Sequence, residues 1–98
     1  MPGYVVANYT IHDQEKIEKY RDAVRPVIQQ FGGKLLVADR DAKVKGCPHH
    51  VMVVIEFESV EAAQRWWESP EYGAIKHYRE EASEGWVAIL PGFVMPKG

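Results

Sequence analysis

The stretch His50-Val51-Met52-Val53-Val54-Ile55-Glu56-Phe57 decides the fold. It is rich in β-branched residues and reads as a strand. Side chains along a strand point alternately to opposite faces. Val51, Val53, Ile55 and Phe57 therefore share one side, and His50, Met52, Val54 and Glu56 share the other. A strand with one side in water should alternate apolar with polar residues, yet this one is largely apolar on both. Tyr4–Ile11 repeats the pattern, with Val5, Ala7, Tyr9 and Ile11 against Tyr4, Val6, Asn8 and Thr10. So does Trp86–Leu90, with Val87 and Ile89 against Trp86, Ala88 and Leu90.

Helices account for one of the two sides. Behind an Asp13 cap and an acidic Glu15, apolar residues recur at helical spacing: Ile17, Tyr20, Val24, Val27, Ile28 and Phe31. They fall within an arc of about 100°, the width of a core-facing stripe. Gly32-Gly33 should end this helix, because glycine accepts a left-handed conformation. Pro26 lies opposite the stripe and predicts a kink rather than a break. Lys34–Asp39 reads as a short strand and Arg40–Pro48 as a polar connection. Val60–Glu68 reads as a helix presenting Val60, Ala63 and Trp67 inward, with Trp66 at its rim. Ser69-Pro70 interrupts it, and a helix is expected to restart over Glu71–Ser83. The order β-α-β-β-α-α-β predicts an α+β, ferredoxin-like (split βαβ) fold: four antiparallel strands with the helices on one face. The first and third strands would be central, and residues 1–98 would form a single domain.

Composition narrows the function classes. Ninety-eight residues suit one domain. An apolar share of 46% with 27% charged residues excludes disorder. A net charge of −2 argues against nucleic acid as partner. The central apolar run Val51–Ile55 falls far short of the ~20 residues that span a bilayer, so no membrane partner is expected. Met1-Pro2-Gly3-Tyr4 has no basic leader, and Cys47 is the single cysteine. Both point to a cytoplasmic setting.

The second apolar side needs a cover. Four strands about 4.8 Å apart and five residues long make a face of roughly 300 Å², at the limit of what monomers leave exposed. A stable interface buries about 800 Å² per partner, and the apolar tail Phe93-Val94-Met95 could supply part of the difference. The expectation is a homodimer through symmetric sheet-to-sheet packing.

Among candidate site residues, Arg79 carries most information, because it falls on the inward stripe formed by Tyr72, Ile75 and Ala82. A buried guanidinium needs a partner. Glu56 is the natural carboxylate, which would make a structural ion pair; an anionic ligand held by the planar fork is the functional alternative. Tyr20, Trp67 and Tyr72 are expected to converge on the helix–sheet seam, with Asn8 nearby as a buried amide that must be hydrogen-bonded. Such an aromatic pocket suits a small planar or acidic molecule. His50 could reach the dimer cavity, whereas His77 points away from the stripe and reads as a surface residue. His49 and His50 are adjacent and face opposite ways, so no metal site is expected. Cys47 beside Pro48 reads as a loop thiol with no base fixed to activate it.

Tyr4 at the first strand, Tyr20-Arg21, Gly32-Gly33, Glu56-Phe57-Glu58-Ser59, Ser69-Pro70-Glu71-Tyr72, Arg79 and Gly92 together resemble the domain-of-unknown-function family 1330. The resemblance runs nearly the length of the chain. It implies the dimeric α+β barrel superfamily, in which two ferredoxin-like units close their sheets into a barrel. Relatives there include cofactor-free and haem-degrading monooxygenases, chlorite dismutases, muconolactone isomerases and stress-responsive barrels, and fold alone does not choose among them. The haem-degrading branch uses an Asn, a Trp and a His. Alignment through Ser69 and Tyr72 puts Trp66 at the Trp position but Lys76, not His77, at the ligand position. No cofactor is therefore expected. Two functions follow: a small-molecule site for an anionic or aromatic metabolite, simply binding it or acting as a cofactor-free oxygenase or isomerase, or a non-catalytic dimeric module in which these polar groups serve stability alone.

Overall fold

A computed structural model describes residues 1–96. The elements are β1 (Gly3–Ile11), α1 (Gln14–Gln30), β2 (Lys34–Asp39), β3 (Val51–Phe57), α2 (Val60–Glu68), α3 (Pro70–Gly73), α4 (Lys76–Ala82) and β4 (Ser83–Pro91). The four strands form one antiparallel sheet in the order β2-β3-β1-β4. The helices cover one face of it, which is the ferredoxin-like arrangement expected from the strand pattern. The last two residues of the domain expected over 1–98 lie outside the described ones.

Local chemistry sets the boundaries. The Asp13 carboxylate accepts from the Lys16 amide at 3.1 Å and starts α1. At the other end the Gly33 amide donates to the Ile28 carbonyl at 2.8 Å and the Gly32 amide to the Gln29 carbonyl at 3.0 Å. This doubly bonded end needs Gly32 in the left-handed region, and its φ is 77°. Pro26 sits inside a continuous α1, on its exposed side. The inward stripe buries Ile17, Tyr20, Val24 and Ile28 against Val5, Ala7, Tyr9, Val51, Ile55 and Phe57 of the sheet.

Four expectations are corrected. The helix read over Glu71–Ser83 is two pieces, α3 and α4, separated at Ala74 and Ile75. Gly73 weakens the helix there, and tight i→i+3 bonds take over, from the Ile75 amide to the Tyr72 carbonyl and from the Tyr78 amide to the Ile75 carbonyl. The last strand starts at Ser83, not Trp86, because all nine of its residues keep register with β1. The third strand starts at Val51, leaving His50 just outside it. Finally, Trp66 rather than Trp67 is the buried indole of α2, 2% exposed and packed on Phe57 and Tyr72.

The second face of the sheet is open over much of its area. Trp86, Leu90 and Val37 are 46%, 46% and 41% exposed, and Phe93, Val94 and Met95 of the tail more so. One corner is roofed by the connection between β2 and β3, which lays Cys47 and His49 over Asn8 and Thr10.

Candidate functional site

Between α1 and the covered face of the sheet lies a cavity of about 220 Å³. Its floor is Val5 and Ala7 of β1 with Val53 and Ile55 of β3, and Val24 and Ile28 of α1 form its roof. Ala7, Ala38 and the valines are small, so the middle of the layer is left unfilled, while Tyr20 and Tyr72 fill the space between α1 and α3 at one end. The edge strand β2 is exposed along its length, and the cavity reaches it at Leu35 and Ala38.

At the inner end the polar groups form a chain. The hydroxyls of Tyr20 and Tyr72 are hydrogen-bonded at 3.0 Å, and Arg79 Nε donates to the Tyr72 hydroxyl at 3.4 Å. Ser69 holds Tyr72 in place. Its hydroxyl oxygen accepts from the Tyr72 amide at 3.1 Å and its proton goes to the Trp66 carbonyl at 2.8 Å. The guanidinium of Arg79 also lies over the Trp67 ring, 5.9 Å from its centroid. Among the described residues no carboxylate is within ion-pair distance of Arg79. Burial disfavours its charge, but the oxygens of Tyr72 and Tyr20 and the charge of the neighbouring Glu80 favour it, and the balance lies toward the charged form. Burial likewise drives the Tyr20 phenol well above its ordinary range, so it stays neutral and able to donate.

The predicted residues divide between the two faces. Tyr20, Tyr72 and Arg79 meet as described, and Trp67 walls the Arg79 side. Glu56 is not their partner. It lies opposite Tyr4 in the register and shares its face, where its carboxylate accepts from the Tyr4 hydroxyl at 3.1 Å. Alternation along β3 places it on the side away from the helices, so it cannot reach Arg79. Asn8 is on that side too. It is fully buried, its amide donating to the carbonyls of Val51 (2.8 Å) and His49 (3.2 Å) and its oxygen accepting from Cys47 Sγ at 3.2 Å. Its bonds to His49 and Cys47 pin the β2–β3 connection to the first residue of β3. His50 is half-buried at the foot of β3 and does not line the cavity, and His77 is exposed.

Among the polar side chains of the cavity, Tyr9, Arg21, Arg25 and Arg40 were not among the expected site residues. Tyr9 was legible in principle, since it shares a strand face with Val5 and Ala7 on a central strand. The arginines were not, because Arg21 and Arg25 flank the apolar stripe of α1 and Arg40 lies in an irregular connection. Every charged residue lining the cavity is an arginine. The buried Trp66 indole N–H, which has no hydrogen-bond partner among the described residues, also borders this space.

The search of curated proteins returns no match. The RPA0582 protein of Rhodopseudomonas palustris, of unknown function, superposes with a TM-score of 0.75 at 15% identity, covering 96% of this chain and 84% of its own. SnoaB from Streptomyces nogalater, a cofactor-independent oxygenase, gives 0.69 at 10% identity, covering 96% and 95%. A de novo designed protein, Foldit4, gives 0.63 at 18% identity, covering 95% and 100%. At such identities the likeness is one of fold, and a designed chain that shares it shows how little activity the fold alone implies. The shared fold is the ferredoxin-like α+β one, a four-stranded antiparallel sheet with its helices on one face. The family assignment comes from a match over residues 2–93, nearly the whole chain: this protein belongs to DUF1330, a family defined by a domain of unknown function.

Proposed function

We propose that the protein binds a small organic acid with an apolar or aromatic body in the cavity beneath α1. The observation that carries this is the position of Arg79. It is half-buried at one end of the cavity, in contact with the Tyr72 hydroxyl and an indole face, and among the described residues no carboxylate lies within ion-pair distance of it. A guanidinium held so, with its fork only partly used, favours a carboxylate or enolate. Tyr20 and Tyr72 supply further donors, and the valines of the floor receive the body of the ligand.

The chemistry such a site suits is limited by its lining. Among the described residues that line it there is no histidine, aspartate or glutamate to serve as a general base near neutral pH. An isomerisation that begins with proton removal by the protein is disfavoured. Oxidation by dioxygen, as co-substrate, of a substrate that enters already anionic and electron-rich, with Arg79 holding its oxyanion, fits better, and SnoaB is a cofactor-independent oxygenase. The unit is a cytoplasmic homodimer joined through the open face.

A panel of aromatic and aliphatic acids, screened by thermal shift, tests the site. A ligand at ~100 times its dissociation constant stabilises by ~2.7 kcal/mol. Arg79→Ala should abolish the shift while the unliganded protein still melts cooperatively. If no acid shifts the wild type, or the variant responds equally, the non-catalytic dimeric module becomes the better description.

A further inference from the structure

The arginines of the cavity come from opposite edges of the sheet. Arg79 belongs to α4, which runs directly into the edge strand β4. Arg40 follows β2, the other edge strand, and Arg21 and Arg25 stand one turn apart on α1. The two edges of a four-stranded sheet are about 14 Å apart at roughly 4.8 Å per strand, and arginine side chains reaching inward from both shorten the gap between charges. Tyr9, on central β1, feels both Arg79 and Arg40. Between the two groups the floor is apolar.

Their pairing differs. Arg40 is bonded to Glu18 at 3.2 Å, whereas Arg21, Arg25 and Arg79 belong to no ion pair among the described residues. An acid with one charge would satisfy Arg79 and leave Arg21, half-exposed, and Arg25, exposed at the rim, without an anion at the β2 side of the apolar floor. Building on the acid-binding reading, we propose that the ligand is a dianion, with one acidic group on Arg79 and a second, across an apolar spacer, on Arg21 and Arg25. Diacids that carry their carboxylates at opposite ends of a benzene ring or of a short saturated chain are the simplest members of this class. A charged group at each end also fixes the direction in which the body lies over the floor, which a single anchor does not.

The experiment compares terephthalate and adipate with their monoamides, 4-carbamoylbenzoate and adipamate, by calorimetric titration at fixed ionic strength. Each pair has nearly the same shape and differs by one charge. The wild type should bind at least one diacid tenfold or more tightly than its monoamide, and the double variant Arg21→Ala/Arg25→Ala should erase that difference. Lys19→Ala/Lys45→Ala, which removes the same charge from exposed positions outside the cavity, should preserve it. Equal affinity of diacid and monoamide in the wild type overturns the second anchor while leaving the Arg79 site standing. A difference that survives loss of Arg21 and Arg25, or that vanishes in the lysine control, overturns it as well. If none of the four compounds binds, the dianion proposal fails, and the wider acid panel then decides whether the Arg79 site itself stands.

Discussion

Tyr20 shows how one side chain serves both stability and the site. It is 8% exposed, and its hydroxyl reaches only the hydroxyl of Tyr72. Burial raises its pKa well above 10.0. The linkage then has a definite sign: unfolded chains ionise this phenol near pH 10 while folded ones do not. The stabilisation is complete below pH 10 and is lost as pH rises beyond it. Tyr9 acts in the same direction, with burial opposed by Arg79 and Arg40. Denaturant titrations above pH 10 should show stability falling by up to about 1.4 kcal/mol per pH unit for each such tyrosine. Tyr20→Phe should make the fall shallower; an unchanged slope would mean that the phenol ionises in the folded protein. At this scale the sequence reading of Arg79 was sound in part. Helical spacing placed it on an inward stripe, but the carboxylate assigned to it was one position out of phase with the face it would have needed.

The element that most directly builds the site is the junction of α2 and α3. Ser69 closes one helix through the Trp66 carbonyl and opens the next through the Tyr72 amide, with Pro70 pre-set at the first helical position. Both aromatic residues it ties are cavity residues, their rings 4.2 Å apart. Ser69→Ala should cost about 1–2 kcal/mol, the usual worth of a helix cap with a buried hydrogen bond, as measured by equilibrium unfolding. It should also weaken binding of any acid held by Arg79, because Tyr72 would lose its fixed backbone. Stability loss with unaltered affinity would separate the cap from the site. The Ser-Pro pair announced this junction in the sequence. Which of Trp66 and Trp67 points inward was not announced, since the two are adjacent and the choice depends on how α2 rolls onto β1 and β4.

For the whole molecule the unanswered surface is the open face of the sheet. Trp86 and Leu90 on β4, Val37 on β2 and the tail at Phe93–Met95 are all apolar and exposed. Both edge strands also leave backbone donors and acceptors unpaired, a state that natural sheets usually avoid or cover. A second copy laid against this face would bury them together, with Asn8 and the β2–β3 connection at one corner. Sedimentation equilibrium should return twice the 11.2 kDa chain mass. Trp86→Glu should shift the population toward monomer, because burying an unpaired carboxylate costs several kcal/mol. A wild type that sediments as a monomer would remove the dimer from the proposal without touching the cavity, which lies on the other face.

Strand phase, helix stripes, caps and the glycine stop are local: each depends on residues within a turn or a few positions, so they could be read directly from the chain. The ferredoxin-like order followed from them, as did the excess of apolar surface on a second face. The cavity belongs to a different class of fact. It exists because small floor residues on β1, β2 and β3 lie beneath α1, and it is charged because arginines from α1, α4 and the segment after β2 arrive at the same space. Those residues are up to 58 positions apart, from Arg21 to Arg79, and no local periodicity relates them. Only packing brings them together and decides which face of the sheet the helices cover; strand alternation then leaves Glu56 and Asn8 on the far side, whatever pairing charge alone would suggest.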